Sequence, residues 1–362
     1  MILTRVTLRR LAVAHSLDTP GSLEQTIRRL GFVQADPIRS PARAQDLTLR
    51  HRVADYRAGD LERGYATLPL EEDFFVNYGF VPREVYRLMH PRSGLGRWVS
   101  PGKRKAEAVL AFVRERGRVH PRDVDAHFAH GSVRNYWGGS SSATTHLLDH
   151  LHYRGLLRVA GRDGGIRVYE VQEHAGSALS ATERRSRIDA LLMVLAEKYA
   201  PVPSATLSWL ANRLRIAVPQ WPGEARRALA RVKRQLRHER VDGVDWYFPD
   251  APLDADVDDA VRLLAPFDPI VWDRRRFEAF WGWPYRFEAY TPAAKRLYGY
   301  YALPILWRDD VVGWANVSQQ DGKVTANLGY RGGRPPRTRG FAKALEAELE
   351  RMRRFLGVGG RR

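Results

Sequence analysis

Between residues 103 and 248 the chain runs through one pattern twice, and this repetition limits the available folds more than any other feature. KRKAEAVLAFVRERG places apolar residues on one helical face and stops at Gly117. HPRDVDAHF follows as a short helix with Pro121 at its start, and SSATTHLLDHLHYRGLL as a third with a serine cap. LLRVAGRDGGIRVYEV then reads as a strand, a glycine-rich tip and a returning strand. Residues 183–248 repeat the order, with RRSRIDALLMVLAEKY, SATLSWLANRL and the very basic GEARRALARVKRQLRHERV as helices. A hairpin in VDGVDWYFP, turning on Asp242-Gly243, closes this second unit. Three helices and a hairpin are the order of a winged helix, whose third helix rides a nucleic-acid groove. Many small domains share that order, so it narrows the fold without naming a function.

The flanking segments differ. Ahead of the repeat, Leu8, Leu11 and Ala12 give a first helix its apolar face. Ser22 caps a second helix through LEQTIRRL, which Gly31 ends, and a short strand and further helix follow. This region is a diverged copy of the unit. From about residue 260 the composition turns to short aromatic strands. LYGYYALPILWRDDVVGWANVSQQDGKVTANLGY alternates across two turn signals, RDD and QDGK, which predicts a small antiparallel sheet or partial barrel. FAKALEAELERMRRFL closes the chain as a helix. The expected class is α+β: a winged-helix-like domain at 1–100, winged helices at 101–175 and 176–255, and a β-rich domain with a final helix at 256–362.

Charge points to the partner. The net charge is +18, and 52 of the 59 basic residues are Arg. Exchanging Lys for Arg leaves net charge unchanged, so the excess over acids calls for a polyanion. Arg suits one, since its planar fork binds phosphate through two donors. The absence of cysteine removes disulfides, thiol nucleophiles, thiolate zinc sites and iron–sulfur clusters. No apolar run approaches the ~18–20 residues a bilayer requires. MILTRVTLRRLAVAHSL is too interrupted for a secretory signal and reads as the first helix of a folded, cytoplasmic protein.

Few residues carry chemistry. GFVQADPIRS, residues 31–40, sets Gln34 and Asp36 two apart in an extended segment, so both project to one side. Pro37 biases Asp36 toward extended backbone. The pair could hold a water or a ligand, or Asp36 could open a turn, as Asp-Pro often does. His146 and His150 have a metal-ligand spacing but no Glu between them and no third partner, so a solvent- or phosphate-facing role is the better reading. Asp268 and Asp273, in PFDPIVWDRRR, suit turn and ion-pair roles. Tyr136 and Trp137 could stack a base or pin their loop to the core. Phe32 is expected to face the core, and no aromatic cage lies near the Gln34–Asp36 pair in sequence.

VQADPIRSPARAQDLTLRHRVADY, the tandem units, and LLAPFDPIVWDRRR followed by EAYTPAAKRLYGYYALPIL together resemble the AlkZ-like winged-helix DNA glycosylases, from about residue 4 to about residue 330. The resemblance implies tandem winged helices in a C-shaped arrangement around DNA, with a β-rich C-terminal part. It implies removal of purines alkylated at a ring nitrogen, and unhooking of interstrand crosslinks. The family's active-site motif is Gln, any residue, then Gln or Asp, which falls here on Gln34 and Asp36 as catalytic residues. EEDFFVNYGFVP, residues 71–82, departs from the family pattern. Arg39, Arg43, Arg50 and Arg52, with Tyr136 and Trp137, are then the expected DNA contacts. Double-stranded DNA carrying alkylated purines or crosslinks is the expected partner of a monomer needing no cofactor or metal. A tandem winged-helix regulator without catalysis, and an RNA-binding protein, are the alternatives.

Overall fold

In the computed structural model, which describes residues 3–17, 21–93, 103–129, 131–134, 140–174, 179–250 and 256–358, three antiparallel three-stranded sheets share one strand order. In each, a two-residue strand that follows a helix pairs with the return strand of a later hairpin, which therefore lies in the middle. The short strands are Val33–Gln34, Arg118–Val119 and Val202–Pro203. The hairpins are Leu70–Phe74 with Tyr78–Pro82, Leu157–Asp163 with Ile166–Val171, and Arg237–Val241 with Val244–Phe248.

Local chemistry explains most of the boundaries. Ser22 and Gln25 form a reciprocal capping box on Leu23–Leu30, and Gly31 ends that helix at φ +62°. Pro121 begins Pro121–Phe128, and the Ser142 side chain caps Ala143–Tyr153. Two expectations need correction. The basic helix of the third unit stops at Lys233, because RHERV is required as the strand opposite Val244–Phe248 across the Asp242-Gly243 turn. In the first unit EEDFFVNYGFVP forms the hairpin, which the sequence reading left unassigned.

The C-terminal part is a four-stranded antiparallel sheet in chain order, Val261–Leu263, Leu303–Trp307, Asp310–Gln320 and Lys323–Tyr330, followed by the helix Arg339–Phe355. PFDPIVWDRRR adds an unforeseen helix, Arg274–Trp281, because the Asp273 carboxylate accepts from the amides of Arg275 and Arg276 at 3.1 and 3.3 Å. No helix among the described residues is long and apolar enough to cross a membrane.

Apolar clusters join the first unit to each of the other two and to the C-terminal part. Phe32, Val81 and Met89 of the first unit pack with Leu191, Leu195 and Leu210 of the third. Leu47 and Phe80 share a cluster with Leu148 and Val159 of the second unit and with Tyr301, Ile305 and Phe355. The first helix, Arg5–Leu17, packs Leu8, Leu11 and Val13 with Trp246, Phe277 and Trp281.

Buried ion pairs lock the same joints. Arg52 uses all five guanidinium donors: to Asp268 at 2.7 and 3.0 Å, to Ser16 O and Oγ at 2.8 Å each, and to Thr48 O at 2.7 Å. Arg50 meets the fully buried Glu348 at 2.8 Å. Both side chains are only 3% exposed, so the phosphate contacts expected of Arg50 and Arg52 are corrected to internal pairs that fasten the first unit to the C-terminal part. Asp268 and Asp273 take the ion-pair and turn roles expected of them. Replacing Arg52 with Met strands the Asp268 charge in the interior. We expect Arg52→Met to cost about 3–5 kcal/mol of stability, measured by urea unfolding; an unchanged midpoint would show that the pair holds nothing together.

Candidate active site

Gln34 ends the edge strand of the first sheet, opposite Gly79, and the Ala35 amide extends the pairing to Tyr78 O at 3.0 Å. A side chain at position 79 is impossible without rearrangement, since its Cβ would lie 2.2 Å from Val33 O and 2.6 Å from the Phe32 ring. The bare backbone of Gly79 thus sets how closely the motif strand approaches the hairpin. Phe32 faces the core, as expected, while Gln34 and Asp36 are half-buried.

Donor chemistry fixes which way the Gln34 amide points. Arg213, from the helix Ser204–Ala217, can only donate, and it donates to Asn77 Oδ1 at 3.0 Å. Asn77 Nδ2 therefore faces Gln34, and donates to its Oε1 at 3.0 Å. The Gln34 NH2 group is left to offer two hydrogens to whatever occupies the site. Asn77 and Arg213 were not anticipated, since the one sits in an unassigned turn and the other on a different unit.

Asp36 takes up the turn reading without losing the other. One carboxylate oxygen accepts from the Ile38 amide at 2.9 Å, and the other has no hydrogen bond among the described residues. Burial raises its pKa above the ordinary carboxylate value, and the Ile38 hydrogen bond only partly offsets this. Tyr290 and Tyr301 of the C-terminal part lie near enough for the Asp36 charge, after burial, to push their phenols up as well. The Tyr301 hydroxyl is buried and has no hydrogen-bond partner among the described residues. Two groups that need a third party thus stand near one another. Aromatic side chains do reach the pair, contrary to the sequence expectation, because folding delivers them from more than 250 positions away; the tyrosine-rich EAYTPAAKRLYGYY was the available signal.

Of the four expected arginines, two remain here. Arg39 is exposed and has no ion-pair partner among the described residues. Arg43 is partly buried against Glu62, and burial together with Arg39 and Arg162 lowers its pKa. The tip of the second unit's hairpin reaches this corner: a Cβ on Gly165 would lie 3.0 Å from Arg43 Nη2 and 3.5 Å from Arg39 Nη2. Tyr136 and Trp137 lie outside the described residues. His146 is exposed while His150 is buried, so their rings do not converge. No group of three His, Asp or Glu among the described residues is placed to hold a metal ion. A cavity of about 710 Å³ lies between Glu71, Arg83, Tyr86, His90, Arg158 and Arg187, none of them a residue of the motif.

One lysine comes near. Burial, with Arg52, pushes Lys198 down to about 7, a range in which an amine can be a nucleophile. Its ammonium is held by the Phe32 carbonyl and packs on the Phe32 and Tyr199 rings, behind the motif strand and out of solvent.

Comparison with known proteins agrees with this architecture. A family model described as "DNA glycosylase AlkZ-like" matches residues 27–355. The solved structure of Streptomyces sahachiroi DNA glycosylase AlkZ superposes with a TM-score of 0.63 over 99% of this chain and 98% of that one, at 16% identity. The fold is thus shared at a sequence distance where side chains are not.

The environment of Asp36 gives a direct check. In a carbon-13 NMR titration its carboxyl should titrate above 3.8, the value it would have without burial. A midpoint at or below that value would mean that the group is solvated and the site open on all sides.

Proposed function

The chain belongs to the AlkZ-like DNA glycosylase family, and on that premise we propose that it hydrolyses the N-glycosidic bond of cationic N7-alkylated purines, including bulky adducts, and unhooks interstrand crosslinks. The three repeated units act as winged helices arranged in a C around the duplex. The observation that carries the reading is the arrangement at the motif: a half-buried carboxylate with one free oxygen, near an amide that presents only donors.

An N7-alkylated purine is already cationic, so its bond to C1′ breaks without a general acid. The base takes the bonding electron pair and departs neutral, and the sugar acquires oxocarbenium character. Asp36 stabilises that charge and accepts a proton from water as the water oxygen bonds to C1′. The Gln34 amide donates to the same water oxygen, a polarity that Arg213 and Asn77 enforce. The exposed Arg39, with the hairpin tip at Gly165 beside it, suits a phosphate flanking the lesion. A regulator without catalysis would need neither the free carboxylate oxygen nor the oriented amide.

Asp36→Asn keeps the shape and removes the charge. Release of N7-methylguanine from methylated duplex, and unhooking of a nitrogen-mustard crosslink, should each fall by roughly 10²–10⁴, with DNA affinity little changed. Gln34→Ala should lose less, because solvent can replace an orienting amide. Wild-type rates from Asp36→Asn would sink the assignment.

The reaction should also leave the strand intact. A glycosylase that cleaves the strand forms a Schiff base between an amine and the sugar, and Lys198 is turned into the core. We expect an abasic product and no complex trapped by borohydride; a trapped band that disappears in Lys198→Met would place that amine at the sugar instead.

A further inference from the structure

Seven large apolar side chains stand exposed among the described residues, and four of them, Val6, Ile166, Trp209 and Val244, are scattered along the chain. The other three are Tyr290, Leu297 and Tyr300, exposed by 77%, 76% and 42%. Isolated exposed apolar residues need no explanation, but a cluster does. Tyr290 and Tyr300 lie within each other's electrostatic reach, and Tyr290 lies within that of Asp36.

This exposure is built rather than slack. The buried Glu288 carboxylate accepts from the amides of Leu297, Tyr298 and Gly299 at 3.0, 2.7 and 3.3 Å, closing the loop on itself. Arg296 ties the loop again through Thr291 O at 2.7 Å, and its guanidinium lies over the Tyr300 ring at 5.1 Å. Gly299 has φ +116°, and a Cβ there would lie 2.3 Å from Asn316 Oδ1, so only glycine lets the loop fold onto the sheet. Tyr298 turns inward against Trp283 and Trp314, and Phe287 packs edge-on against Tyr301 at 5.2 Å. The neighbours of the exposed residues are thus anchored. Beside Tyr300 a cleft of about 350 Å³ runs from Ser40, four residues after Asp36, to Asn316, Ser318 and Asn327.

We propose that Tyr290, Leu297 and Tyr300 form a stacking platform that receives the face of an unstacked base at the lesion, holding the damaged nucleotide over Asp36. The occupant is duplex DNA and not a protein partner, because Tyr300 shares its cleft with Ser40, next to the exposed Arg39, and the loop region itself carries the exposed cations Arg286 and Lys295. Aromatic rings accept any base on their faces, and a platform open on one side sets no limit on the size of an alkyl group. The nucleotide is supported from one side only, which distinguishes this surface from a closed pocket that takes a fully extruded base.

The inference rests on the glycosylase reading for its position but can be tested without catalysis. A duplex carries N7-methylguanine on a 2′-fluorinated sugar, which resists cleavage, with 2-aminopurine as the base 3′ to it. Binding of the wild-type protein should raise 2-aminopurine fluorescence as the stack opens. Tyr290→Ala with Tyr300→Ala should abolish that rise, and should lower excision from the natural sugar by roughly 10- to 100-fold, the worth of one or two stacked bases. Affinity for undamaged duplex should be unchanged. Tyr290→Phe with Tyr300→Phe should restore both signals, which the loss of a hydroxyl contact would not allow, while unchanged binding of undamaged duplex shows that the alanine variant is folded. An alanine variant that matches wild type in fluorescence and excision overturns the platform while leaving the glycosylase reading intact. A wild-type protein that excises nothing, yet shows a tyrosine-dependent rise, overturns the glycosylase reading and leaves the platform standing.

Discussion

Glu71, Glu72 and Asp73 stand in a row on one strand and all three are buried, so each needs its own cation. Side chains alternate along a strand, which sends Glu72 to one face and its two neighbours to the other. Glu71 meets Arg83 and Arg158, at 3.0 and 2.8 Å. Glu72 meets Arg162 and the Tyr78 hydroxyl at 2.9 and 2.7 Å. Asp73 meets Arg92 at 2.8 Å and His90 at 2.5 Å, and the Arg92 charge with the His90 hydrogen bond holds its carboxyl well below the usual range despite burial. A buried carboxylate missing its partner is costly, and that penalty makes the register between first and second units all but unique. The hairpin tip at Gly165 is in consequence delivered to Arg39 and Arg43.

The same pairs change how the chain's charge is read. A net charge of +18 suggests arginines waiting for phosphate. Yet Arg50, Arg52, Arg92, Arg158 and Arg162 serve as internal partners of buried acids, each fastening one unit to another or one strand to its neighbour. Position next to the motif in sequence was a poor guide to exposure: Arg39 is exposed, whereas Arg52, thirteen residues on, is in the interior. The surface excess survives because the acids, too, are consumed inside.

The repeated units were legible because their signals are local. Capping at Ser22 and Ser142, the stop at Gly31 and the Asp242-Gly243 turn each act within a few residues. The extended course of the motif segment was legible because a short strand followed by Asp-Pro has few conformations, whereas its reading as a site came from the family resemblance. What the sequence hid depends on distant partners. EEDFFVNYGFVP carries consecutive acids that ordinarily mark a solvated loop, and Arg158 and Arg162, some ninety positions away, join the nearer Arg83 and Arg92 in making it a buried hairpin. RHERV reads as helix by composition but is claimed by its turn. Asn77, Arg213, Tyr290 and Tyr301 gain their place at the site from three separate parts of the chain, and no spacing rule connects them.

The clusters that cross the boundaries between units have a mechanical consequence. Leu191 and Leu195 of the third unit and Phe32 of the motif strand belong to one packed interior, as do Val159 of the second unit and Ile305 of the C-terminal sheet. Close-packed interiors resist shear and have few intermediate arrangements. A frame of this kind offers no soft hinge, so it works as an anvil and not as a jaw. Any duplex seated on it has to do the bending and unstacking itself. Damaged base pairs that stack poorly yield more readily than intact ones, and compliance of the nucleic acid then becomes a means of telling damage from normal sequence.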